Sequence, residues 1–229
     1  MNFNFIRGKQ YFFILSGIVF LISCSKTEED KRPFDAAKYY TYKSGNIREY
    51  YLDSFAYDQS TGTVKTYHFL IKENVMDSFT DLSGKPAVRI EQYISRDSGK
   101  NYEFYALSVV SNDNFGHQRV ENNQRYLKIA LPLVNKKTWN GNIFNNLGET
   151  EYEFTGIFEP FQSKIRRYSN SIIVTELNDS SVINADKIMS VYLRDTGLAY
   201  KLDKHLKYYP GDKVGGFIME WNLLRYWPK

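Results

Sequence analysis

Cysteine is all but absent from this 229-residue chain, since Cys24 is its only one. A lone thiol excludes an intramolecular disulfide and any zinc site built from several thiolates. Histidine is scarce as well: His68, His117 and His205 stand apart, in neither a His-x-x-x-His nor a His-Glu-x-x-His spacing. No pair of imidazoles is therefore aimed at one metal locally, and each histidine is expected to be structural or superficial. Neither Gly-x-Ser-x-Gly nor Gly-x-x-x-x-Gly-Lys occurs, which removes the nucleophile elbow and the phosphate loop. An apolar run long enough to cross a bilayer is missing too. Residues 11–22 are apolar apart from Ser16 and Gly17, but a helix of that length reaches only about 18 Å, against the roughly 30 Å of a hydrocarbon core.

What is present at the N-terminus has the order of a secretory signal peptide, with Arg7 and Lys9, no carboxylate, and then the short apolar run. Leu21, Ile22, Ser23 and Cys24 follow it, and this tetrapeptide resembles the lipobox of bacterial lipoproteins. The resemblance implies cleavage after residue 23, a diacylglyceryl group on the Cys24 sulfur and acylation of the new amine with palmitate or a similar chain. The residue types suit that chemistry, because a thiolate is a strong nucleophile and a small neighbour admits a peptidase. Two or three chains would hold the processed protein on a membrane far more firmly than one, so the expected state is tethered and not spanning. Residues 24–38 are then lipidated cysteine and flexible leash, with Ser25, Lys26, Thr27, Glu28, Glu29, Asp30 and Lys31 too polar to fold alone. Lys26 and the acidic cluster resemble the export signal of surface lipoproteins in Bacteroidota, with Thr27 as a departure from its tightest form. The expected location is the outer membrane, lipid-anchored, with the cell surface and the periplasmic leaflet both open.

Residues 39–229 have the size of one domain. The leader holds two of the 30 Lys and Arg residues and none of the 26 Asp and Glu residues, leaving 28 against 26. That near balance gives no basic surface for nucleic acid. Several segments alternate with period two: Val88, Ile90 and Ile94; Leu127, Ile129, Leu131 and Leu133; Tyr152, Phe154 and Phe158; Phe217, Met219, Trp221 and Leu223. Alternation of this kind marks antiparallel strands with one buried face. Longer β-like runs cover 46–58 and 63–78, joined by a hairpin loop in which Gly62 supplies positive φ. Residues 180–189 could form a short helix. An all-β antiparallel meander follows, closed as a half-barrel or barrel-like domain or, alternatively, as a β-sandwich, with few short helices. Residues 39–51, with Gly45, Asn46 and Ile47 ahead of Tyr50, and residues 191–201, with Asp195, Thr196 and Gly197 ahead of Leu198 and Tyr200, resemble strands of uncharacterised β-rich lipoproteins of Bacteroidota. That likeness implies a curved antiparallel sheet and no known activity.

Candidates for chemistry are few. Glu149, Glu151 and Glu153 would share one strand face and, with Glu159, could serve a hydrolase if folded into a cleft, although the same residues read simply as the wet side of Tyr152 and Phe154. Asn112, Asp113, Asn114 and Gly116 lack the bidentate acid of a calcium loop. Trp139 with Asn140, and Tyr208 with Tyr209, are speculative ligand contacts, since aromatic faces beside amides stack on sugars or grip peptides. No cofactor and no metal are expected. The reading is a non-enzymatic envelope lipoprotein whose β domain binds or scaffolds a partner: an envelope protein, a glycan or a hydrophobic ligand. The alternatives are a carrier of a lipid or other hydrophobic ligand in a half-barrel cavity and a carboxylate-dependent hydrolase.

Overall fold

The computed structural model of the protein describes residues 36–82 and 84–229. Its strands are β1 (Ile47–Asp58), β2 (Thr63–Thr80), β3 (Pro86–Ser95), β4 (Glu103–Asp113), β5 (Gly116–Glu121) and β6 (Gln124–Ala130), then β7 (Thr138–Asn140), β8 (Glu151–Gln162), β9 (Arg167–Ser180), β10 (Asn184–Leu193), β11 (Gly197–Tyr209) and β12 (Lys213–Trp227). A 3-10 turn, Ala36–Tyr40, precedes them and is the one helical element among the described residues.

All twelve strands form one antiparallel sheet in the order β6-β5-β4-β3-β2-β1-β12-β11-β10-β9-β8-β7. Because β1 pairs with both β2 and β12, the first and last strands of the domain lie side by side. The free edges are then β6 and β7, which are adjacent in the chain. They meet at a seam crossed by three hydrogen bonds: Leu127 N–H to the Gly141 carbonyl at 2.9 Å, Trp139 Nε1 to the Leu127 carbonyl at 2.8 Å, and Asn145 Nδ2 to the Arg125 carbonyl at 2.8 Å. The sheet is thus a nearly closed barrel with one incompletely paired seam, which decides between barrel and sandwich.

Local chemistry sets the hairpins. At the end of β1, Asp58 Oδ1 accepts the Ser60 amide at 2.8 Å, and Gly62 takes φ +69° as expected of that loop. Between β10 and β11, Asp195 at φ +58° and Gly197 at φ +85° reverse the chain, a conformation open to glycine and tolerated by aspartate. Residues 180–189 are a turn followed by β10, not a helix. Asn184–Leu193 pairs along its length with both β9 and β11, and that two-sided ladder overrides a weak local preference.

Residues 36–38, placed by sequence in the leash, belong to the compact unit Asp35–Lys229. Tyr39 and Tyr40 are buried and join a core of Ile129, Phe154, Ile172, Val174 and Tyr192. His117, fully buried, stacks against Tyr40 (5.4 Å between ring centres) and Tyr42 (5.5 Å). Arg48 ties this plug down: its Nε donates to the Thr196 carbonyl at 2.6 Å and its Nη2 to the Thr41 carbonyl at 2.8 Å, with the guanidinium 4.4 Å from the Tyr42 ring. The end of the barrel where β1 begins is closed by these contacts.

Candidate functional site: a charged cavity in the barrel

Charged side chains occupy the buried phase of several strands. In β2, Glu73 lies between Ile71 and Val75, and all three are at most 2% exposed. In β9, Glu176 follows Ile172 and Val174 in the same phase, and β5 contributes Arg119. A carboxylate placed there must be neutralised in place, since burying it alone would be prohibitively costly.

Glu73 receives Arg119 Nη2 at 3.0 Å, Gln92 Nε2 at 2.8 Å and the Tyr50 hydroxyl at 3.2 Å. Burial alone would raise its pKa, but the nearby Arg119 and Arg48 charges outweigh burial and hold the carboxyl below its ordinary range. Arg119 also meets Glu121 through Nε at 2.8 Å. Beside them Lys128 donates to Glu176 at 2.7 Å, and Glu176 accepts the Ser190 hydroxyl at 2.5 Å. Desolvation opposes the charge on both partners; the Coulombic attraction wins, keeping Glu176 ionised and Lys128 protonated well above its usual range.

Next to this network is a cavity of about 390 Å³. Glu73, Gln92, Ser108, Arg119 and Glu121 line it on one side, and Lys201, Asp203, Met219 and Trp221 on the other. Strands β5 and β11 stand six places apart in the sheet, so a cavity that both line lies inside the curled sheet. Exposed Tyr105, Leu107 and Asn122 also border it, connecting it to solvent. Asn122 sits in the β5–β6 turn, and in an alternating antiparallel sheet that turn shares its end of the barrel with the β1–β2 turn. The opening is therefore at the end opposite the Tyr39–Tyr42 plug.

None of the candidate site residues from sequence belongs to this cavity. Cys24 lies outside the described residues. Trp139 is at the seam, its ring centre 4.5 Å from that of Phe154 at a 45° tilt and its Nε1 donating to the Leu127 carbonyl. Asn140 organises the following loop, its Oδ1 accepting the amides of Asn142 at 2.9 Å and Thr150 at 3.2 Å. Tyr208 and Tyr209 stand half-exposed at the tip of β11, away from the seam, so the structure does not bring the two aromatic candidates together. Glu149, Glu151 and Glu159 are exposed, and Glu153 pairs with Lys136 at 3.3 Å. Asp113 anchors its loop through the Phe115 amide at 2.9 Å and an ion pair with Lys85. Among the described residues no group of three His, Cys, Asp or Glu side chains is arranged to hold a metal ion. His68 meets Asp53 at 2.5 Å, and His205 lies between Asp186 at 3.0 Å and Asp203 at 3.1 Å.

No family model and no curated protein matches the chain. Among solved structures it is similar to a Bacteroides fragilis protein named putative exported protein with YmcC-like fold, at 9% identity and a TM-score of 0.39, over 83% of this chain and 99% of that one. A likeness this distant carries no function across.

Proposed function

We propose that this chain is an envelope lipoprotein, held on the outer membrane by lipid on Cys24, whose barrel binds a small polar ligand in its charged cavity without turning it over. The observation that carries the binding reading is the cavity itself: about 390 Å³, open at one end and lined from opposite walls of the barrel by ionised side chains. A volume in that range suits a small molecule. A lipid of two or more acyl chains exceeds that volume, which weighs against the lipid-carrier alternative. A hydrolytic reading is also disfavoured. Its candidate carboxylates stand outside the cavity, with Glu149, Glu151 and Glu159 exposed and Glu153 on Lys136.

Two measurements test this. Metabolic labelling with tritiated palmitate is expected to mark the wild type and not Cys24→Ser, with the variant leaving the membrane fraction. A thermal-shift screen of amino acids, sugars and organic acids is expected to raise the melting temperature by about 5–10 °C at a hundredfold excess over Kd, since that occupancy adds about 2.7 kcal/mol. An unlabelled wild type would remove the tether, and a screen without a single stabilising compound would remove the binding site.

A further inference from the structure

The charges around the cavity do not cancel locally. Arg119 is taken by Glu73 and Glu121, and Lys128 by Glu176. Arg48 is absorbed by two carbonyls and the Tyr42 ring. Asp203 lies 3.1 Å from His205 Nε2, and its Oδ1 accepts no hydrogen bond. Lys201 differs from all of these. It lines the cavity, and its register with Trp221 and Ser190 turns it to their side of the sheet, yet no carboxylate among the described residues lies within ion-pair distance of it. Its charge reaches Glu121 and Glu176 only through space.

A second observation is independent of Lys201. Ser108 lines the same cavity, is 3% exposed, and its Oγ makes no hydrogen bond. Buried hydroxyls are nearly always satisfied, so an orphan facing a cavity calls for a partner from outside the chain. The remaining lining supplies apolar area through Trp221, Met219 and Leu198.

We infer that the cavity takes a small amphiphilic monocarboxylate, its anionic group on the Lys201 ammonium and its apolar body against Trp221 and Met219, with Ser108 as a hydrogen-bonding partner. This rests on the binding reading above and narrows it to one ligand class. A cationic ligand would meet the Lys201 ammonium and could be held only by Asp203, since Glu73 and Glu121 are taken by Arg119. A phosphate dianion would add a second charge facing Glu73, Glu121 and Asp203, with Lys201 as the unpaired cation among the described lining residues.

The test uses the processed full chain in lipid nanodiscs, titrated calorimetrically against empty nanodiscs. The probes are straight-chain monocarboxylates from acetate to decanoate, 3-phenylpropionate, and the matched amide and amine of the last. The acid is expected to bind at least tenfold more tightly than its amide, because a charge-assisted hydrogen bond adds about tenfold to a hundredfold. Lys201→Met is expected to abolish that preference by weakening the acid more than the amide, and Lys201→Arg to retain it; melting curves establish that each variant folds, with Lys201→Gln replacing the Met variant if that one does not. Equal affinity for acid and amide, or an acid affinity indifferent to Lys201→Met, overturns the inference. So does binding confined to a compound of another class, which leaves the binding reading standing. Failure of every compound in the broader screen as well would sink both.

Discussion

Lowering the pH from 7.5 to 5 is expected to destabilise the protein through one residue, His117. This imidazole is fully buried between Tyr40 and Tyr42, and its Nδ1 is 2.8 Å from Asn112 Oδ1. Burial, followed by the positive charges of Arg119, Lys128 and Arg48, pushes its pKa down from 6.5 to about 3. An unfolded chain takes up a proton there near pH 6.5, while the folded chain stays neutral until about pH 3. The unfolded state thus binds more protons throughout that window, so stability is full above neutral pH and declines as pH falls through it. At pH 5 the loss is about 2 kcal/mol relative to pH 7.5, at 1.36 kcal/mol per pH unit below the unfolded value. Urea unfolding of the wild type and His117→Phe across pH 4.5–8 isolates the effect. Phe keeps the ring stack and cannot titrate, so the stability difference between the two proteins is expected to move by about 2 kcal/mol in favour of the variant at pH 5. Parallel pH profiles would refute the reasoning, because they would mean that the folded state accommodates the imidazolium.

Three further outcomes are expected. Arg119→Met leaves Glu73 and Glu121 uncompensated in the barrel and is expected to lower unfolding free energy by about 3–5 kcal/mol, with Glu73→Gln added to it restoring part of the loss in the same urea titration. Gly216→Ala places a Cβ 2.0 Å from the His205 carbonyl oxygen at φ +119°, whereas Gly62→Ala meets nothing within 4 Å. The first is expected to abolish folding or cost well over 3 kcal/mol, the second only about 1–2 kcal/mol for its left-handed backbone, as calorimetry would separate. Trp139→Ala removes both the bond to the Leu127 carbonyl and the contact with Phe154; amide exchange is expected to accelerate at Leu127 more than in the central strands β1 and β12, and uniform acceleration would show that the seam is no weaker than the rest of the barrel.

Sheet architecture was largely legible because alternation is a strong signal. The runs 46–58 and 63–78 are β1 and nearly all of β2, and the Gly62 hairpin lies between them. Alternation breaks down wherever the strands bulge. Phe158 was read in the buried phase of Tyr152 and Phe154, yet register shifts after Phe154 and Ile157 leave it 43% exposed and put Ile157 against the core. Strict alternation with Leu127 and Ile129 would turn Lys128 to solvent, but it is buried on Glu176, next to a shift between His117 and Gln118. Alternation with Trp221 and Leu223 would likewise expose Asn222, which is fully buried. Its register neighbours Tyr200 and Tyr51 lie under residues from the β8–β9 end, with Phe161 4.8 Å from Tyr200 and Lys164 paired with Asp53. The cavity went unseen for a different reason. Its charges come from strands far apart in sequence, and a single charged residue in an apolar phase, such as Glu73 between Ile71 and Val75, is visible locally while its partner Arg119 is not. That phase violation was the available signal.

The same violation bears on why the barrel is built this way. A buried ion-pair network stabilises little in net terms, since desolvating its members offsets most of their attraction, and apolar side chains of similar volume would do as well or better. Stability alone therefore does not account for Glu73, Arg119, Lys128 and Glu176 at interior positions that Ile, Val or Leu fill elsewhere in the same strands. A protein acting only as a scaffold through its outer surface has no use for such an interior. One that receives a polar ligand does, because ionised groups already fixed by one another present a preorganised field and lose little on binding. The two ends of the barrel agree with that division of labour: aromatic plugs and Arg48 seal the end where β1 begins, and the charged cavity opens at the other.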